Sequence, residues 1–166
     1  MSDTATTAIE TLEGVEAVKA LMGKYVYFVD EGYDLEGLGS LMTEDFVWDS
    51  NIAPLLSSRK QFLKFQGENV DDIKWAFHLV VPLFVDVEGE RAEGTWHILG
   101  LHTMVDRDDR DEREAVFYTG SYDVRFVKQT DGWRMSGMKL VIHQLSALSK
   151  GWVEEPFYWS RAAEGA

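Results

Sequence analysis

Tyr25, Asp30 and His78 bring a phenol, a carboxylate and an imidazole into one apolar stretch of fold, and these are the groups that move protons near neutral pH. Tyr25 and Asp30 lie in the run VEAVKALMGKYVYFVDEGYD, and His78 follows in WAFHLVVPLFVDV. An imidazole among Trp75, Phe77, Leu79 and Val80 needs a partner if it is buried. Asp30 accepting a proton from one ring nitrogen would fix the tautomer and leave the other nitrogen free as a base. The same residues also admit a plainer role: Tyr25 as helix core, Asp30 as a helix-end residue, His78 as a core histidine bonded to a carbonyl. Five helical residues turn through about 140°, so Tyr25 and Asp30 do not share one face strictly, though both can border a wide pocket.

Other chemistry is thinly represented. His97 and His102 sit in TWHILGLHTM at an odd separation, which puts them on opposite strand faces and allows only one of them into a cavity. Four scattered histidines, no cysteine and no HxH or HExxH pattern predict no metal site. Neither GxGxxG nor GxxxxGK[ST] occurs, so no nucleotide cofactor is expected and the predicted cofactor set is empty. Tyr118 and Tyr122 share a strand face and could supply a hydroxyl to a pocket or simply pack.

The elements that must position these groups can be read from periodicity. Residues 1–11, rich in Thr and Ala, read as a flexible arm, and Val15, Val18, Leu21, Met22, Tyr25, Val26 and Val29 then mark one amphipathic helix. Gly32 is its stop, Asp34 the cap of a short helix DLEGLGSLM, DFVWDS a short strand, and Ser57 or Ser58 the cap of a helix through SRKQFLKFQGENV. Strands are predicted near 74–87, 91–105, 114–128 and 132–146, divided by EGER, the charged run DRDDRDERE and the turn TDGW. Helices first and a long antiparallel meander afterwards give α+β: N-terminal helices packed on a strongly curved antiparallel sheet, a cone with an internal pocket. The expected domain spans 12–148, and the aromatic tail 149–166, with WVEEPFYW, reads as a lid or interface that favours an oligomer, dimer or trimer.

Bulk properties narrow the partners. The chain has 166 residues, 45% hydrophobic and 13% aromatic, enough for one core and an apolar cavity. Sixteen basic against 29 acidic residues leave a formal charge of −13, which argues against nucleic acid or an anionic membrane as partner. The start, MSDTATTAIETLEG, lacks the basic-then-apolar pattern of an export signal, so a cytoplasmic location is expected.

The run KYVYFVDEGYDLEGLGSLMTEDFVWD, the strand bearing FH and the late GSYDVRFVKQTDGWRMSGMKL resemble the SnoaL-like branch of the nuclear-transport-factor-like α+β cone superfamily, over about residues 12–146. Within it, the spacing of Tyr25, Asp30 and His78 is similar to the active-site trio of bile acid 7α-dehydratase, and the Asp30/His78 pair to the dyad of hexachlorocyclohexane dehydrochlorinase. Scytalone dehydratase uses tyrosines and two histidines in a comparable cone. The resemblance implies that His78 removes a proton, Asp30 orients it, Tyr25 hydrogen-bonds a carbonyl oxygen or leaving group, and His102 is the second histidine. It also implies Trp48 as a pocket wall; Tyr122 joins Trp48 and His102 as a candidate substrate-binding residue. The chain departs from those enzymes at Met138 and Lys139, where an Arg is expected, which leaves the substrate open. The expected function is a cofactor-independent lyase of the dehydratase type, or an isomerase, acting on a small hydrophobic, cyclic substrate. The alternative is a binding or assembly module such as the small subunit of a ring-hydroxylating dioxygenase.

Overall fold

The computed structural model describes residues 3–105 and 111–156. Helix α1 (Asp3–Asp30) is followed by α2 (Leu35–Ser40), strand β1 (Met42–Ser50), α3 (Arg59–Asn69), a 3₁₀ turn (Val70–Asp72), strands β2 (Ile73–Glu88), β3 (Arg91–Val105), β4 (Arg113–Gln129) and β5 (Gly132–Ala147), and the short α4 (Gly151–Glu154). The helix α1 continues back through most of the segment read from composition as an arm. Ala, Glu and Leu favour helix there, and no proline or glycine interrupts before Gly14. Its residues 7–13 are exposed.

Val18, Leu21, Met22, Tyr25 and Val29 are the buried stripe of α1, spaced at three and four residues so that one face meets the sheet, mainly β2. Two successive left-handed residues, Gly32 (φ 79°) and Tyr33 (φ 59°), end that helix and reverse the chain. Asp34 then caps α2, its carboxylate accepting from the backbone N–H groups of Glu36 and Gly37 at 3.1 and 3.0 Å. Ser58 caps α3 in the same way through Gln61.

The five strands form one sheet in the order β1-β5-β4-β3-β2, and the sheet does not close on itself. Strands β2 to β5 are antiparallel neighbours in sequence order, as the short turns at Gly89-Glu90 and Thr130-Asp131 require. The expectation of a wholly antiparallel sheet is corrected at one edge: β1 pairs parallel with β5, so the sheet is mixed. No turn joins β1 to β5, so nothing local in the sequence sets their relative direction.

The inward faces of β3, β4 and β5, together with Phe46 and Trp48 of β1 and Phe62 of α3, complete a core that also contains the α1 stripe. Register shifts leave one extra residue in β2 between Pro82 and Phe84 and one in β5 between Ile142 and Gln144. Such irregularities bend a strand and increase its twist, which helps a sheet wrap over helices. Among the described residues no helix is long and apolar enough to cross a membrane.

Candidate functional site

The end of α1 and the middle of β2 meet at Asp30 and His78. One carboxylate oxygen of Asp30 lies 2.6 Å from His78 Nδ1, and the other accepts the His78 backbone N–H at 3.2 Å. The backbone bond fixes the carboxylate in the plane of the strand, so Asp30 is held by one residue at two points. On the far side of the ring, His78 Nε2 lies 3.2 Å from His102 Nε2. With the carboxylate accepting from Nδ1, the bond network assigns the remaining protons: Nε2 of His78 is the acceptor and Nε2 of His102 the donor.

Sheet register explains this meeting. His78 stands opposite Gly100, and Gly100 opposite Tyr118, while Ala76 stands opposite His102. His102 is therefore the diagonal neighbour of His78 on the same sheet face, close enough for two imidazoles to touch. Gly100 leaves an empty place between His78 and Tyr118, and the Tyr118 ring fills it. A β-carbon at Gly100 would stand 2.2 Å from that ring, so only glycine admits it there. The ring centroids are 5.9 Å from His78 and 5.0 Å from His102, both in edge-to-face arrangement.

A cavity of about 160 Å³ opens above this cluster. His78, His102, Tyr25, Tyr118 and Tyr122 line it from the sheet and α1, Trp48 and Phe65 from the β1–α3 side, and Tyr33 from the turn. Gln66 and Asn69 of α3 add polar groups. Asp30 is not part of the lining; it stands behind His78. Tyr25 meets Tyr122 edge to face at 6.0 Å and interacts with its hydroxyl. Trp48 is buried and its indole Nε1 has no hydrogen-bond partner, although Trp48 itself lines the cavity.

Each sequence-derived candidate thus has a definite place. Asp30 and His78 are in direct contact, His102 completes the pair from the other side, and Tyr25, Trp48 and Tyr122 border the same cavity. His97 points to the opposite, exposed face, as its odd separation from His102 required. In the tail, Trp152 rests edge to face on Phe117 at 5.7 Å and remains largely exposed, while residues 157–166 lie outside the described residues. So do residues 106–110 of the charged run. Among the lining residues not singled out as site residues are Tyr118 and Tyr33. The sequence offered Tyr118 as either a pocket hydroxyl or a packing residue, and the Gly100 register decides between them; Tyr33 carried no signal of its own.

Burial sets the protonation of the site. Burial holds His78 below its ordinary pKa of 6.5, with the Asp30 hydrogen bond and charge acting the other way, and pushes His102 down to about 3, helped by His78. Both imidazoles are therefore neutral at pH 7. Burial raises the phenols of Tyr25, Tyr33, Tyr118 and Tyr122, so all four remain protonated donors.

An open five-stranded mixed sheet with helices over a cavity defines an α+β domain of the nuclear-transport-factor-like, cystatin-like kind. An NTF2-like protein with a cystatin-like fold from Novosphingobium aromaticivorans is similar at TM-score 0.67 and 19% identity, over 93% of this chain and 96% of that one. The type 3 hexachlorocyclohexane dehydrochlorinase from Novosphingobium barchaimii is similar at TM-score 0.72 and 16% identity, over 83% and 92%. A type 2 hexachlorocyclohexane dehydrochlorinase gives 0.69 and 15%, over 82% and 90%. At these identities the likeness is one of fold. Residues 10–139 match the SnoaL-like domain, and the chain belongs to that family. None of the curated proteins matches it in sequence.

The sign of the histidine shifts gives a pH test. The unfolded chain protonates a histidine near 6.5, the folded chain protonates His102 only near 3, so the stability from a neutral His102 is complete above 6.5 and is lost as pH falls through that window. His78 shifts in the same direction. Urea unfolding between pH 8 and 4 is expected to show stability falling with pH, and His102→Phe is expected to flatten the slope below 6.5. An unchanged slope in His102→Phe would contradict burial of a neutral His102.

Proposed function

We propose that this protein is a cofactor-independent lyase of the dehydratase type, or a closely related isomerase, that works by general acid/base proton transfer on a small hydrophobic cyclic substrate. Membership of the SnoaL-like family and the fold shared with dehydrochlorinases support lyase or isomerase chemistry in general terms. The observation that carries the finer proposal is the contact chain Asp30–His78–His102 at the wall of an otherwise mainly aromatic and aliphatic cavity.

The lone pair of His78 Nε2 is occupied by the His102 N–H. A substrate oxygen that takes the His102 donor releases that lone pair, and His78 then removes a proton from the carbon beside a carbonyl. The C–H electron pair forms the new double bond as the hydroxyl on the next carbon leaves, and the departing oxygen takes from the His78 imidazolium the proton just removed, which gives water and returns the imidazole to its neutral form. Asp30 holds the Nδ1 proton and stabilises the imidazolium that His78 becomes. Phenols that stay protonated are donors for the carbonyl oxygen as it gains charge. The cavity is close to the ~150 Å³ that holds a benzene ring, which favours one six-membered ring over larger skeletons. A plugged interior would have favoured the assembly-module alternative.

Proton abstraction can be read without knowing the leaving group. Cyclohexanone and 3-hydroxycyclohexanone in D₂O are expected to exchange α-protons in the presence of the protein, followed by NMR, with exchange reduced by about 10²- to 10⁴-fold in His78→Ala. Exchange that is absent from wild type, or equal in His78→Ala, would overturn the proposal.

We also propose that a second copy of the chain covers the outer sheet face. Trp75, Phe77, Leu79 and Val81 alternate outward along the edge strand β2, Leu83 follows, and Leu99 and Leu101 continue the patch on β3, all of them exposed. Seven large apolar side chains exposed together on two neighbouring strands form the kind of contiguous apolar patch that marks a protein interface. The surrounding charges, Lys74, Asp86 and Glu93, lie at its rim, the usual division of an interface. Light scattering is expected to give a dimer or trimer for wild type and monomer for Leu79→Asp; a monomeric wild type would contradict this interface.

A further inference from the structure

Tyr33 is the one non-glycine residue with positive φ among the described residues. Its value of 59° is the left-handed region, where a β-carbon crowds the following carbonyl and where glycine, asparagine and aspartate are the usual occupants. A large aromatic there is held against an intrinsic preference, and such strain persists only where surrounding structure enforces it. The enforcing contacts are visible. Gly32 precedes it at φ 79°, the Tyr33 N–H returns to the Val29 carbonyl at 3.1 Å, and the Asp34 N–H returns to that of Phe28 at 2.9 Å. Asp34 is then committed as the α2 cap, so the turn is fixed on both sides of Tyr33.

This turn directs the side chain inward. Although the residue as a whole is half-buried, Tyr33 lines the cavity together with Tyr25 and Ile73, and its phenol lies near enough to the Asp30 carboxylate to feel its charge. Tyr25 already interacts with Tyr122. The Tyr33 hydroxyl, by contrast, makes no hydrogen bond to any described residue. A glycine or asparagine would make the same turn without strain but would bring no phenol to the cavity.

We infer that Tyr33 is a substrate-contacting residue of this site: its phenol donates a hydrogen bond to a ligand oxygen, and its ring limits the cavity to a single six-membered ring. The inference rests on the acid/base function proposed above, and names a donor and a size limit that the Asp30–His78–His102 chain does not supply. It also gives the strained turn a reason. The hydroxyl, which bonds no described residue, is free to donate to a carbonyl oxygen that enters.

The probe is cyclohex-2-enone, the product of dehydrating 3-hydroxycyclohexanone, with binding read by NMR shifts of the ring protons of His78 and His102. The protein with Tyr33→Phe keeps the turn and the ring and loses only the hydroxyl. Its thermal midpoint is expected to stay within a few degrees of wild type, its affinity for the enone to fall about three- to tenfold, and α-proton exchange of 3-hydroxycyclohexanone to fall by about 10- to 100-fold. The pH profile of exchange should keep its shape, because the base is unaltered. Tyr33→Asn, which suits the left-handed turn, removes the wall and is expected to shift preference from cyclohex-2-enone toward the two-ring 1-tetralone. If wild type binds the enone and exchanges protons through His78 while both Tyr33 variants match it in affinity, rate and ring preference, the Tyr33 inference is overturned and the acid/base function stands. If wild type neither binds nor exchanges, the acid/base function fails and the Tyr33 role falls with it.

Discussion

The Asp30–His78 contact ties the end of the long helix to the centre of an edge strand, and most of the site follows from it. Burial alone would leave the imidazole of His78 as an unsatisfied polar group in an aromatic interior, at a cost of about 1–3 kcal/mol for each unpaired atom. The carboxylate meets that need twice, at Nδ1 and at the backbone N–H, and in doing so fixes the ring's tautomer and plane. Desolvation still outweighs the pairing, so His78 stays below its ordinary pKa and remains an uncharged base at neutral pH. Local stability and the protonation of the site thus depend on the same two bonds.

The sheet supplies the rest through register. Placing Gly100 between His78 and Tyr118 allows one phenol to lie across a strand, and the diagonal step from His78 reaches His102. Above them the β1–α3 wall contributes an aromatic lid, with Trp48 against Phe62 and Phe65 at 5.8 and 5.6 Å. The outcome is a small cavity walled mainly by aromatic and aliphatic side chains, with the two imidazoles on its sheet side and Gln66 and Asn69 on its α3 side.

Much of this was legible in the residues. The α1 stripe, the caps at Asp34 and Ser58 and the four long strands have local causes, namely periodicity, side-chain oxygens and two-residue turns, and they fall where those signals stand. Odd spacing also separated His97 from His102 correctly. The direction of β1 was not legible, because parallel pairing across some ninety residues leaves no turn chemistry to read. Tyr118 was legible only as one of two alternatives, pocket hydroxyl or packing, because its place depends on which residue of β3 faces it, a matter of register. Tyr33 was hidden, because its place depends on a backbone conformation that its own side chain opposes.

The tautomer of His78 is where fold and chemistry meet, and ¹⁵N NMR of the histidine side chains measures it directly. Wild type at pH 7 is expected to show neutral His78 protonated at Nδ1, with Nε2 unprotonated, and neutral His102 protonated at Nε2; in Asp30→Asn the His78 assignment should be lost. A His78 that is charged at pH 7, protonated at Nε2, or indifferent to Asp30→Asn would contradict the base that the proposed function requires.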